Sequence, residues 1–267
     1  MQSLTEVHNM AFKYNLSVHE LMDFFCEQKY EGFTEQEIRA VEHRIGAKLP
    51  KAYRDFLLKY GEKGIYDAFD NLYNFLKDII TSYQIIDDII DNLEEDLKDA
   101  IEDGNEEEYA DNPYFSLWQL PREEWHTITQ NYVLIGCDRE GIVYEGYLLE
   151  DLLAGNPDPP LYLSLNDDFI EYKKWTDSTE PFLTEMIGET VFGHYNCDSY
   201  DSDRIASGNK ASIKELFAQI GADIDDRQLN VYGHIGTCFD TVSKTVYFYF
   251  EYERFQRVLR ATKEDMF

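Results

Sequence analysis

Between Thr34 and Gly61 the chain reads as two short helices joined at a proline. Thr34 and Glu37 form a capping box: the threonine hydroxyl takes the Glu37 amide and the glutamate reaches back to the Thr34 amide, so a helix starts there. Ile38, Val41 and Ile45 recur at spacings of three and four and give it one apolar stripe. Gly46 permits a left-handed stop. Pro50 opens a second helix at its first position, where a missing N–H removes no bond. Tyr53, Phe56, Leu57 and Tyr60 supply that helix with its own buried face, and Gly61 ends it.

Upstream, residues 16–30 form a further helix, capped by Ser17 with Glu20, whose apolar side is Val18, Leu21, Phe24 and Phe25. The longest helical pattern runs from Tyr66 to Asp103, where Ile79, Tyr83, Ile86, Ile90, Leu93, Leu97 and Ile101 share one stripe. One bent helix or an antiparallel pair breaking near Thr81-Ser82 fits it. Its other face carries Asp87, Asp88, Asp91, Glu94, Glu95, Asp99, Glu102 and Asp103. Short apolar runs bounded by Gly, Asp and Pro predict strands at Leu117–Leu120, Tyr132–Cys137, Ile142–Leu148 and Leu161–Leu165, with a hairpin at Asp138–Gly141. A helix follows from Ser178 toward Val191, with Pro181 in its first turn.

Residues 192–209 are polar and read as a linker. Beyond them, a helix at Ala211–Ile220 and strands at Leu229–Phe239 and Lys244–Glu253 predict a small α-β-β appendage, 210–267. The run Val246 to Tyr252 has β propensity on both faces and needs cover on both, since an open strand of this kind invites edge pairing.

The net charge is −29 and it is regional. Residues 66–112 hold sixteen acids and two lysines, and 138–203 hold sixteen acids and three basic residues. Residues 34–65 are slightly basic, with seven Lys and Arg against five acids. Direct binding to nucleic acid needs Lys and Arg clusters, so this field argues against it and toward a partner with a basic surface. Aromatics at 15% supply enough apolar area for a folded core despite the charge. Cys26, Cys137, Cys197 and Cys238 sit in no disulfide framework, which suits a reducing compartment. With no basic-then-apolar leader at Met1 and no run of about 18 apolar residues, cytoplasmic residence and no membrane partner are expected.

His194 with Cys197 and His234 with Cys238 together offer four zinc-compatible ligands at spacings like the halves of a tetrahedral site, but such pairs also arise by chance, and no metal or cofactor is expected. Phosphate loops, nucleophile elbows and dinucleotide fingerprints are absent from the sequence, so no enzyme is expected.

The Thr34–Gly61 pattern, with Leu49-Pro50 followed by Tyr53-x-x-Phe56-Leu57, resembles the opening signature of the SUKH superfamily. Tyr132–Asp138, its partner run to Leu148, Pro160–Leu163 and Trp175–Met186 resemble the family's later elements, while 66–112 and everything after about 192 lie outside the resemblance. It implies an α+β fold with a mixed or antiparallel sheet packed by helices. The expected layout is an N-terminal helical extension at 1–33, a SUKH-like domain at 34–191 with a helical insert at 66–112, the linker and the appendage. Leu49, Pro50, Tyr53, Phe56, Leu57 and Gly61 are then structural. The resemblance implies binding and no catalysis: a bacterial immunity protein that occludes a toxin, often a basic nuclease domain, or else a regulatory scaffold of the fungal cell-wall-signalling type. The residues expected to meet the toxin are Asp87, Asp88, Asp91, Glu94, Glu95, Tyr109 and Trp118, with Tyr114, Phe115 and Trp125 nearby.

Overall fold

Side chains that bond back to the main chain set where the helices begin. In the computed structural model, which describes residues 12–25, 31–65, 76, 78–109, 112–137, 143–165, 169–194, 197–203, 211–231, 234–252 and 255–262, Ser17 and Glu20 exchange such bonds after strand β1 (Phe12–Tyr14) and start α1 (Val18–Phe25). The Thr34 hydroxyl accepts the Glu37 amide at 3.3 Å, and the Glu37 carboxylate accepts the Thr34 amide at 2.7 Å. These two bonds start α2 (Glu35–Ile45), and the Thr34 amide and hydroxyl, both donating to the Glu37 carboxylate, hold it below its usual range. Gly46 closes α2 in the left-handed conformation, φ 73°. Pro50 stands one residue before α3 (Lys51–Ile65), its carbonyl accepting the Arg54 amide. The helix is regular only as far as Tyr60. Gly61 sits at φ 37°, where a Cβ would come 2.2 Å from the Glu31 carbonyl oxygen.

The described part of 66–103 differs from the long helical pattern. Ile79 precedes a two-residue strand, β2 (Ile80–Thr81), and Thr81 with Gln84 forms another capping box that starts α4 (Ser82–Glu102). Residues 66–75 and 77 lie outside the described residues. Along α4, Ile86 and Leu97 are buried, while Ile101 is 41% exposed, so the stripe leaves the core at its C-terminal end. Leu117–Leu120, expected as a strand, falls partly in a helical turn, α5 (Phe115–Trp118). Asn112 accepts the Tyr114 amide and turns the chain, and the Trp125 indole N–H caps the Leu117 carbonyl, two local bonds that outweigh the strand propensity of four apolar residues.

β3 (Tyr132–Cys137), β4 (Tyr144–Leu148), a short α6 (Leu149–Leu153), β5 (Leu161–Ser164) and β6 (Tyr172–Thr176) follow, giving an antiparallel sheet in the order β2-β3-β4-β5-β6. The hairpin residues 138–142 lie outside the described residues. Tyr132 and Leu134 pack on one face of this sheet with Ile86, Leu117, Trp125 and Phe169. Alternation puts Tyr147 on the opposite face, with the Tyr53 ring of α3 at 6.2 Å from it. The architecture of this part is α+β.

α7 (Thr179–His194) leads to β7 (Asp198–Asp203), α8 (Ile213–Gln219), β8 (Ile235–Asp240), β9 (Thr245–Glu251) and β10 (Phe255–Thr262). Here the layout departs from the linker and α-β-β appendage. The second sheet has the order β1-β8-β9-β10-β7 and takes one edge from the N-terminus and the other from inside 192–209. The described residues accordingly divide into two compact units, one between 30 and 179 and one joining those before 30 to those after 179. The polar run Asp198–Asp203 is a strand because β10 supplies its counter-charges: Arg257 bonds Asp201 at 2.8 Å and Arg260 pairs with Asp198 at 3.4 Å. β9 is central and covered on both faces. Tyr247 and Tyr249 pack with Leu216 and Phe217 of α8, and Phe248 stacks on Phe25 at 6.0 Å.

Leu57 is fully buried, and Leu57→Ala should lower stability by about 2–5 kcal/mol, read as a shifted denaturant midpoint. On α7, a Cβ at Gly188 would lie 2.5 Å from Phe250 Cζ and 3.0 Å from Phe248 Cδ1. Gly188→Val should therefore cost about 1–3 kcal/mol by overpacking in the same measurement.

Candidate functional site

The spacing of three and four that buries Ile86 and Leu97 turns Asp87, Asp91, Glu94 and Glu95 to a common outer side of α4. Asp88, Asp91 and Glu95 are exposed. Glu94 pairs with Lys98 one turn on. Asp87 is the most enclosed of the row: its carboxylate meets the Arg122 guanidinium at 2.6 Å, with 34% of its side chain exposed. Burial pushes the Asp87 carboxyl above its usual range, Arg122 opposes that rise, and the neighbouring carboxylates of Asp91 and Asp88 add to it.

These charges are not arranged for the helix's own stability. Asp87 with Asp91, and Asp91 with Glu95, are like charges at i,i+4, each unfavourable by about 0.2–0.5 kcal/mol. The first turn of α4 has no acidic residue and the last turn has no basic one, while Asp99 and Glu102 lie at the negative end of the helix dipole. The row is a concentrated anionic surface that local pairing leaves largely uncompensated.

The expected aromatics divide into two groups. Trp125 is buried, T-stacked under Tyr83 at 5.4 Å, and the Tyr114 hydroxyl accepts the Phe169 amide at 3.4 Å, so both point inward. Trp118 is half-buried and stacked with Phe115 at 6.1 Å on α5, which packs against α4, and Tyr109 is half-buried at the end of a 3-10 turn. Beside the start of α4 lies an apolar cleft of about 320 Å³ walled by Arg44, Ile80, Gln84, Ile85, Leu134 and Tyr144. The one sequence signal for it is the Thr81–Gln84 box, which marks where α4 leaves the sheet edge.

The zinc-compatible pairs serve other contacts. Cys238 is packed with Leu216, Phe217 and Tyr247, and burial pushes its thiol up. His234 Nδ1 lies 3.0 Å from the Glu251 carbonyl oxygen, and Cys197 Sγ lies 4.0 Å from that of Val191. The His194 side chain and Cys26 lie outside the described residues. Among the described residues no group of three or more His, Cys, Asp or Glu could hold a metal ion, and no helix is long and apolar enough to cross a membrane.

Two outcomes follow from these contacts. Arg122→Ala should move the Asp87 carboxyl further upward, because desolvation remains and the opposing charge is gone; an NMR carboxyl titration reads the direction. Dialysis of the full chain against a chelator should leave the melting temperature unchanged, whereas a structural metal would be lost together with the fold.

Residues 32–185, more than half of the chain, match the model of the SMI1 / KNR4 family (SUKH-1), a span that includes the acidic helix. No curated protein and no solved structure matches the chain.

Proposed function

Because the chain belongs to the SMI1 / KNR4 family (SUKH-1), we propose that it is an immunity protein that binds a cognate toxin in the cytoplasm and neutralises it by occlusion, with the outer row of α4 meeting a basic surface on that toxin. Family membership supports a protein partner and a binding role without chemistry of its own. The observation that carries the choice of surface is the row Asp87, Asp88, Asp91, Glu94 and Glu95, whose mutual repulsion costs the fold stability. A carboxylate array raises the on-rate of a cationic partner, while half-exposed aromatics such as Trp118 and Tyr109 supply area for affinity.

The triple substitution Asp88→Asn, Asp91→Asn and Glu95→Gln keeps side-chain size, leaves the Asp87–Arg122 and Glu94–Lys98 pairs in place and removes three charges. Melting should be unchanged or slightly raised, since exposed carboxylates contribute little and repulsion is relieved. With the toxin domain encoded beside this chain as partner, the association rate should fall and its salt dependence should flatten, because steering is screened over about 8–10 Å. Equal on-rates for parent and variant at low salt would move the recognition surface off α4. Absence of both a complex and growth rescue on co-expression with that domain would remove the immunity reading itself.

A further inference from the structure

We propose that the cleft at the start of α4 is a socket for one aliphatic or aromatic side chain of the basic partner, so that the docking surface joins an apolar anchor site to the acidic row. This rests on the reading of α4 as the face that meets a basic protein.

Two polar groups in the cleft wall are already engaged with the chain. Arg44 Nη2 donates to the carbonyls of Leu76 and Ile79 at 2.7 Å each, which draws the guanidinium to the wall. Gln84 Oε1 is spent on the amide and hydroxyl of Thr81. The apolar part of the lining is Ile79, Ile80, Ile85, Leu134 and Tyr144, and a volume of about 320 Å³ is at the small end for a ligand pocket. An apolar side chain fits this chemistry better than an anionic metabolite, since Arg44 Nη2 is committed to the carbonyls of Leu76 and Ile79 and the Asp78 carboxylate stands at the cleft.

Charge identifies the rest of the occupant. Gln84 and Ile85 are the third and fourth residues of α4, so Asp88 stands one turn above both and Asp91 one turn above that, while Asp78 lies at the cleft itself. A side chain seated in the cleft therefore has carboxylates beside it, and the segment that bears it is complementary when lysines or arginines flank the apolar residue. Desolvated anchors in pockets carry affinity and the surrounding charges set rate and register.

The ¹⁵N-labelled full chain titrated with acetyl-Lys-Lys-Leu-Lys-Lys-amide and with its alanine counterpart tests this. Burial of the larger side chain should make the leucine peptide bind about tenfold more tightly. Amides of Ile80, Ile85 and Leu134 should shift with the leucine peptide alone, and those of Asp88 and Asp91 with both. Ile85→Trp, which fills the cleft, should abolish the leucine preference; the peptide comparison on the parent chain stands whether or not that variant folds. Equal affinities with shifts confined to Asp88 and Asp91 would overturn the socket and leave the acidic docking reading intact. No shift with either peptide would remove both. Cleft amides that move on dilution of the chain alone would make a second copy the occupant and overturn the proposal.

Discussion

The Glu42 carboxylate fixes the corner on which the family portion is built. One of its oxygens takes both the Leu49 amide at 3.1 Å and the Arg54 Nε at 3.0 Å, so α2 and α3 are tied together across the Leu49-Pro50 turn. Arg54 then reaches Glu35 at 2.6 Å, closing the link back to the first turn of α2. Glu42 and Arg54 are mostly enclosed, and a buried pair of this kind is expensive to break on one side because the remaining charge stays desolvated. With that angle set, Tyr53 reaches Tyr147 of the sheet, and Arg44, two residues after Glu42 on α2, holds the carbonyls of Leu76 and Ile79. Those carbonyls lead straight into β2 and the Thr81 cap, so the direction of α4 and the cleft beside it both descend from the α2–α3 corner.

An excess of 29 negative charges has to be accommodated somewhere, and the two units handle it differently. In the C-terminal sheet the acids are used as strand partners. Arg257, 14% exposed, stacks over Phe192 at 4.2 Å and faces both Glu189 and Asp201, while Arg260 faces Asp198. On α4 only Asp87 and Glu94 have such basic partners among the described contacts of the row, and the exposed carboxylates project outward. Charge thus specifies strand pairing in one place and makes a surface field in the other.

Local bonding was the part of the fold most legible in the sequence. The boxes at Ser17 and Thr34 and the stop at Gly46 need only residues within one turn of each other, and β9 announced its need for cover through seven consecutive residues of high β propensity. What completes its sheet was not legible, because β1 comes from the opposite end of the chain and β7 looks like a solvated linker until Arg257 and Arg260 are set opposite it. β10 itself hides behind those arginines, which interrupt its apolar alternation. The same division applies to the candidate site. The acidic row follows from helical spacing alone, whereas the cleft gathers Arg44, Ile80, Ile85, Leu134 and Tyr144 from five separate elements.

The family match covers one of the two sheets and stops short of the other. It begins at residue 32 and stops at 185, inside α7, so β1 and α1 precede it and all of β7 to β10 follow it. The strands among them form one sheet, in which Arg257 and Arg260 of β10 pair with Asp201 and Asp198 of β7. A surface whose charges already neutralise one another steers a partner weakly, because its field cancels at distances beyond the pair. The row on α4 has like sign along its length, so its field adds instead of cancelling, and it lies within the matched residues beside an apolar cleft. On the proposed reading, steering and anchoring are therefore neighbours in the family portion, while the added sheet encloses the aromatic strand β9.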